Sequence, residues 1–299
     1  MNTEIKMIVP REFSFAENLN YFERSPNECL YRIEDQRIYK ALEIGNQIVV
    51  IELSGNSPGY LTIRFLGDTA PHSDIAREEV TAYVREWLDL DRDLTPFYAL
   101  AESDVLLKQA TDSLYGLRII GIPDLFEALC WGIIGQQINL AFAYTLKRRL
   151  VEHLGTRVEC EGKEYWIFPA AETIAALTVE DLEPIRLTVK KSEYLIGVAR
   201  LIANGELTKE SLMNTGSIKE AERMLISIRG IGPWTANYVL MRCLRMTAAF
   251  PIDDVGLHNV LKMMLKLDRK PTRAEIIEVS AGWGGWEAYA TFYLWRMLY

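Results

Sequence analysis

Residues 225–238 read LISIRGIGPWTANY, and their pattern decides the fold. Just upstream, Ser217 and Glu220 form a Ser-x-x-Glu capping box. Ile218, Ala221, Leu225 and Ile228 recur at helical spacing, so the sequence predicts an amphipathic helix over residues 217–228. Gly230, Ile231 and Gly232 break it. Pro233 suits the first turn of a second helix, whose apolar face carries Ala236, Val239, Leu240 and Cys243. The segment is therefore helix, tight glycine turn, helix. Its two glycines allow close approach of something to the backbone. The N–H groups opening the second helix point outward with the positive end of the helix dipole behind them, which makes a seat for a phosphate. A glycine turn between helices also serves as plain punctuation, so the rest of the chain has to decide between the two.

Composition bounds the answer. The chain has 299 residues, of which 49% are hydrophobic and 25% charged, ordinary values for a soluble protein with room for two or three modules. No apolar run is long enough to span a bilayer, and the opening MNTEIKMIVPREF lacks the basic-then-apolar order of a signal peptide, so a cytoplasmic protein without membrane contact is expected. Cys29, Cys130, Cys160 and Cys243 are far apart, which indicates neither a disulfide framework nor a cysteine metal site. His72, His153 and His258 do not cluster, so a histidine metal site or a Ser/His nucleophile is not expected. The formal net charge of −8 is unevenly spread. Residues 1–94 hold ten Lys/Arg against seventeen Asp/Glu, a net −7, whereas residues 217–270 hold nine against five, a net +4. Base gathers around the glycine turn and acid away from it, which suits a local nucleic-acid footprint.

Between residues 29 and 66 the period changes. CLYRI, RIYKALEI, QIVVIEL and YLTIRFL alternate or run apolar and are separated by turn signals, so they read as antiparallel strands. A helix over residues 73–90 follows, with Val80, Tyr83, Val84, Trp87 and Leu88 on one face. Residues 1–94 thus form an expected α+β domain with an antiparallel sheet, and residues 95–299 an all-α bundle containing the hairpin at 217–246. Capping boxes at Asp124/Glu127, Thr178/Asp181, Ser217/Glu220 and Thr272/Glu275 each precede an apolar helical pattern. RVECEGKEYWIF, residues 157–168, is the exception and reads as a hairpin between helices. With no heptad and no large exposed apolar face in view, a monomer is expected.

Asp253 and Asp254 stand directly before the apolar helix pattern of residues 255–267. Asp is a preferred N-cap, so the pair is accounted for without chemistry; it also places carboxylates where a fixed negative charge would be useful. Trp234 and Tyr238 lie one turn apart after the glycine turn, and Trp283 and Trp286 fall in AGWGGWEAYA; aromatics at such spacing are commonly core. Gly135-Gln136-Gln137-Ile138-Asn139 interrupts the helix that starts at Asp124, as a solvated break would. His258 is placed to contact Asp254 across one turn or to make an ordinary helix pair. Lys147, Arg148 and Arg149 close the next helix as partners of its dipole.

The run LxxIxGIGxxTAxxY, followed by Pro251-Ile252-Asp253-Asp254, closely resembles the helix-hairpin-helix DNA glycosylases with their Gly/Pro-rich loop and catalytic aspartate, and among them the bacterial 3-methyladenine DNA glycosylase II (AlkA) type. The resemblance is good over residues 115–299 and holds in outline before that. It implies a base excision repair enzyme that flips a damaged base out of double-stranded DNA and hydrolyses its N-glycosidic bond. A carboxylate beside the anomeric carbon would stabilise the oxocarbenium-like transition state, and the family spacing selects Asp254, with Asp253 as cap or supporting neighbour. It implies that Gly230, Ile231 and Gly232 hold the DNA backbone, that Gln137 fills the gap left by the extruded nucleotide, and that Trp234, Tyr238 and Trp286 line the base pocket. Gln137 departs from the larger apolar wedge frequent in the family. Relatives that also cut the strand carry a lysine where this chain has Trp234, so a monofunctional enzyme acting on 3-methyladenine- and 7-methylguanine-like bases is implied. The four closely spaced cysteines of iron-sulfur relatives are absent, so no cofactor is expected beyond a monovalent cation (Na or K) on the backbone carbonyls of Ile226, Ile228 and Gly230. An oxidised-purine glycosylase with lyase activity and a non-catalytic helix-hairpin-helix DNA-binding module are the alternatives.

Overall fold

The computed structural model describes residues 3–57, 59–71 and 73–298; His72 lies outside the described residues. The expected plan of a sheet domain followed by a helical bundle holds. β1 (Glu4–Ile8), β2 (Arg32–Glu34), β3 (Arg37–Ile44), β4 (Gln47–Ser57) and β5 (Tyr60–Phe65) form one antiparallel sheet in the order β1-β5-β4-β3-β2. The alternation of residues sets its two faces. Ile38 and Leu42 of β3, Val49, Ile51 and Leu53 of β4, and Leu61, Ile63 and Phe65 of β5 all point into the main core. α1 (Phe15–Phe22) and α2 (Asp74–Trp87) contribute to the same core through Leu19, Tyr21, Phe22, Val80, Val84 and Trp87. β1 and α1 are too short to stand out in the sequence pattern.

The hairpin expected near residues 157–168 is β6 (Thr156–Cys160) and β7 (Lys163–Ile167). It folds back onto the opposite face of the sheet, where Cys160 and Tyr165 cover Ala41 and Val50. The rest is helical: α3 (Thr95–Ala101), α4 (Val105–Ser113), α5 (Leu125–Ile134), α6 (Leu140–Leu154), α7 (Ala171–Ala175), α8 (Val189–Ala203), α9 (Lys209–Met213), α10 (Ile218–Ile226), α11 (Pro233–Arg242), α12 (Val255–Met264), α13 (Arg273–Val279) and α14 (Glu287–Arg296). No helix among the described residues is long and apolar enough to cross a membrane. One apolar core runs from Met7 through the sheet and α5 to Leu294 in α14.

The helix starts differ in how far the capping boxes form. Thr272 and Glu275 make the full reciprocal box. At Asp124 and Ser217 the structure records the side chain accepting the N–H of Glu127 and Glu220 as the cap. At Thr178 the bond is reversed, since Asp181 accepts the Thr178 N–H and hydroxyl, and the chain enters the 3-10 turn Glu180–Ile185 in place of an α-helix. Pro184 inside that turn and the left-handed Arg186 at its end explain why it stops. A further full box, Thr208 with Ser211, uses serine where the pattern asks for Glu or Gln.

The N-terminal segment is tied to the helices by charge. Lys147 on α6 is 7% exposed and donates to Glu28 at 3.2 Å and to Glu127 of α5 at 3.1 Å. Lys147 is therefore not a helix-end dipole partner as its position suggested; Arg148 stays at the surface, paired with Glu152 at 2.7 Å, and Arg149 is half-buried. Burial opposes the Lys147 charge, yet the two carboxylates hold its ammonium above the usual lysine range; burial likewise opposes the Glu28 charge, and Lys147, the Leu30 amide and Lys40 together hold Glu28 below the usual carboxylate range. Removing the cation strips both carboxylates of their ion pair and leaves only the more distant Lys40 to offset them. Lys147→Met should thus lower the unfolding free energy by about 3–5 kcal/mol, measured by denaturant titration; a loss under ~1 kcal/mol would contradict the buried triad. Since Glu28 binds its proton less readily in the folded chain than in the unfolded one, the wild-type protein should lose this contribution as pH falls below about 5.

Candidate nucleic-acid and base-release site

The hairpin is built as its sequence dictates. α10 begins at the Ser217 cap and stops at Ser227; Pro233 opens α11. Gly230 sits at φ +93, and a Cβ there would lie 2.3 Å from the Tyr194 ring, so both backbone and packing demand glycine. Gly232 is different. Its φ is −95 and ψ 176, and a Cβ would meet nothing within 4 Å, so no internal contact explains it. It is the N-cap residue of α11, and α11 has no side-chain cap, whereas Ser217 and Asp254 cap the neighbouring α10 and α12. The opening N–H groups of α11 are therefore left to a partner from outside, next to a residue with no side chain to obstruct it.

The turn after α5 is locked to this hairpin. Gln136 donates its amide to the Gly230 carbonyl at 2.8 Å and to Thr235 Oγ1 at 3.1 Å. Lys191 Nζ on α8 donates to the carbonyls of Ile134 and Gln136, both at 2.8 Å, satisfying the end of α5. With Gln136 and Lys191 holding the turn, Gln137 is left exposed in the left-handed region at φ +56. The two glutamines thus divide the work, one as a strut and one as a projection.

Asp254 is the N-cap of α12. Its Oδ1 accepts from the Leu257 N–H at 2.8 Å and from Trp295 Nε1 at 2.7 Å, and its Oδ2 accepts from Trp234 Nε1 at 2.8 Å. The carboxylate is partly exposed and held by two indoles and a backbone amide. Trp234 stacks on Tyr238, centroids 5.4 Å apart at 28°, and Tyr238 faces Trp295 at 6.4 Å. The Tyr238 hydroxyl accepts from Arg242 at 2.8 Å, and Arg242 also lies over the rings of Tyr21 and Phe292. The result is a carboxylate at the edge of an aromatic wall, an arrangement able to face a developing cation with a fixed negative charge.

Several expected partners go elsewhere. Trp286 is not brought to Trp234 and Tyr238; it packs on Phe97 and Tyr289 at the start of α14, and Trp295 at the far end of that helix takes the place beside the carboxylate. The FYLWRMLY ending gave no periodicity that set Trp295 apart from core aromatics. Gly256 makes room for this arrangement, since a Cβ there would lie 2.9 Å from Asp254 Oδ1 and 3.2 Å from the Trp295 ring. Asp253 is neither cap nor neighbour to the carboxylate but pairs with Arg273 at 2.7 Å on the surface. His258 Nε2 bonds the Ile252 carbonyl at 2.9 Å and leaves the Asp254 side chain alone. Two of the nine cations counted around the hairpin are internal: Arg242 bonds the Ile120 carbonyl, and Arg245 bonds those of Ile119 and Glu86. Of the three carbonyls expected to meet a monovalent cation, that of Gly230 accepts the Gln136 amide and that of Ile228 accepts the Ile231 N–H at 3.0 Å. Among the described residues no group of three or more His, Cys, Asp or Glu side chains is placed to hold a metal.

A helix-hairpin-helix with an uncapped second helix, an aspartate held by indoles beside it and a sheet domain packed on the same core define a DNA base excision protein of the helix-hairpin-helix class. Comparison with known proteins agrees. Residues 130–284 match the family "HhH-GPD superfamily base excision DNA repair protein", and residues 12–129 match "8-oxoguanine DNA glycosylase, N-terminal domain". The chain is 54% identical to the DNA-3-methyladenine glycosylase of Bacillus subtilis over 299 residues, covering 100% of this chain and 98% of that one. It is 30% identical to DNA-3-methyladenine glycosylase 2 of Escherichia coli over 180 residues, 60% of each chain. A 3-methyladenine DNA glycosylase structure from Archaeoglobus fulgidus superimposes with a TM-score of 0.84 at 23% identity, covering 98% of this chain and 97% of that one. The chain belongs to the HhH-GPD superfamily and, within it, to the DNA-3-methyladenine glycosylases of base excision repair.

The two hairpin glycines should respond oppositely to substitution. Gly230→Ala is expected to cost about 2–4 kcal/mol, from strain at positive φ and overlap with Tyr194. Gly232→Ser places a favoured N-cap at a backbone already suited to it and should leave stability within ~0.5 kcal/mol of wild type or raise it. Thermal unfolding of both variants checks the contrast; equal losses would refute it.

Proposed function

We propose that this chain is a monofunctional DNA glycosylase that hydrolyses the N-glycosidic bond of alkylated bases, of the 3-methyladenine and 7-methylguanine kind, flipped out of duplex DNA. The observation that carries the reading is the Asp254 carboxylate, held by Trp234, Trp295 and the Leu257 amide beside an aromatic wall. The DNA phosphate sits on the open N–H groups after Gly232, and Gln137, projected by its locked turn, enters the gap in the stack. A base alkylated at N3 or N7 is cationic, which draws it to the faces of Trp234, Tyr238 and Trp295 and weakens its bond to the sugar. As that bond breaks, its electron pair leaves with the base, which departs neutral. The Asp254 carboxylate faces the oxocarbenium-like sugar. Water then adds to the anomeric carbon and loses a proton, leaving an abasic site.

The N-terminal match to 8-oxoguanine glycosylases keeps a lyase reading in view. Strand cleavage by that route needs an amine at the hairpin to form a Schiff base, and this position carries Trp234, whose indole N–H is committed to Asp254. Borohydride should therefore trap no covalent complex with damaged DNA.

The decisive experiment incubates wild type and Asp254→Asn with methylated duplex DNA and measures released bases. Wild type should release them, and the variant should be slower by about 10² or more. In the variant either an amide N–H faces the Trp234 indole or one faces Trp295, so its folding is checked by unfolding midpoint and its DNA affinity by titration; affinity should be retained. Equal release by both proteins would remove Asp254 from the chemistry, and no release by wild type would favour a DNA-binding module.

A further inference from the structure

Arg229 immediately precedes Gly230 in the hairpin, and its side chain is 76% exposed. It does not point freely into solvent. Its guanidinium lies over the Tyr194 ring, 5.7 Å from the centroid, and donates to Glu193 Oε2 at 2.6 Å. Tyr194 in turn presses on Gly230, so Glu193 and Tyr194, adjacent on α8, form a fixed shelf against the turn. Arg229 rests on that shelf three residues before Gly232, the N-cap position of the uncapped α11. While paired with Glu193 it adds no net charge to the phosphate seat.

We propose that the Arg229–Glu193 ion pair is an exchangeable latch, in which Arg229 leaves Glu193 to bind a backbone phosphate of DNA when the strand docks on the hairpin. This rests on the proposed DNA-binding role of the hairpin. The exchange is physically favourable. The pair is largely exposed and so worth little, Glu193 is 36% exposed and rehydrates when released, and a guanidinium forms forked bonds to a phosphate as readily as to a carboxylate. No backbone movement is required, because only the Arg229 side chain turns from one acceptor to the other. Glu193 then sets how much of the hairpin's charge is offered to DNA, which tunes the sequence-independent part of affinity.

The test uses the full chain and a duplex oligonucleotide containing a tetrahydrofuran abasic analogue, titrated by fluorescence anisotropy across a salt series, with wild type, Arg229→Gln, Glu193→Gln and the double variant. Arg229→Gln should weaken binding and reduce the slope of log affinity against log salt by about 0.9. Glu193→Gln should tighten binding by about two- to fivefold, and most of that gain should vanish in the Arg229→Gln background. An Arg229→Gln protein with unchanged slope overturns the latch. A Glu193→Gln gain of the same size in both backgrounds also overturns it, by reducing Glu193 to a distant charge. If wild type itself fails to bind, the DNA-binding reading falls together with the latch, whereas binding without coupling removes the latch alone.

Discussion

Three hydrogen bonds to one carboxylate join the helices on which the site depends. Asp254 receives the Leu257 amide from its own helix, the Trp234 indole from α11 and the Trp295 indole from α14, residues 20 and 41 positions away in sequence. An N-cap requires only one acceptor oxygen, and here Oδ1 serves as the cap while Oδ2 is held toward the hairpin. The structural and chemical readings of Asp254 therefore do not compete, because the same fold that needs the cap also aims the second oxygen. Gly256 is part of the arrangement, since any side chain there would press on both Asp254 and Trp295. Trp234 links the two halves of the site, being at once in the first turn after the glycines and bonded to the carboxylate.

A second layer of bonds keeps the hairpin in register with the turn after α5. α5 and α11 approach so closely that a Cβ at Gly132 would lie 2.6 Å from the Thr235 methyl. Thr235 also accepts the Gln136 amide, whose other acceptor is Gly230. Lys191 closes the frame by bonding two carbonyls at the end of α5 from the first turn of α8. Behind this, Lys147 joins α5 and α6 to the segment that follows α1. Buried charges placed in this way hold geometry, because a shift in any one element would leave a polar group without a partner in a low-dielectric interior. The sheet domain meets the same frame at two places: Glu28 pairs with Lys147, and Tyr21 of α1 lies under Arg242, which bonds the Tyr238 hydroxyl.

What could be read from the sequence follows from how local the cause is. The hairpin was legible because its determinants are adjacent: a capped amphipathic helix, two glycines and Pro233. The strands from Arg32 to Phe65 were legible because one face is buried, which imposes alternation. Asp254 stood out from Asp253 only through the family resemblance, and its second indole partner did not stand out at all. Trp295 becomes special only when α14 crosses α12, and before that it is one aromatic among Phe292, Tyr293 and Trp295. Trp286 was a reasonable choice on composition, yet it lies at the opposite end of the same helix. Cations misled in the same way. Arg242, Arg245 and Lys147 count as surface charge in a sequence sum, and all three are spent on buried carbonyls or carboxylates.

That displacement of charge bears on how an acidic chain can hold a polyanion. The formal net charge of −8 opposes long-range attraction of a polyanion by the chain as a whole, and two of the nine hairpin-side cations, Arg242 and Arg245, are internal. What the hairpin side offers is short-range: the uncapped N–H groups and dipole of α11, a glycine with no side chain beside them, and an exposed cation in Arg229. Such contacts act only when a phosphate is already in place, so they position a strand more than they attract one. Phosphate contacts of this kind fix register and orientation on a duplex, and the cost of unstacking a base is a separate term, so a surface poor in net charge can still position a strand.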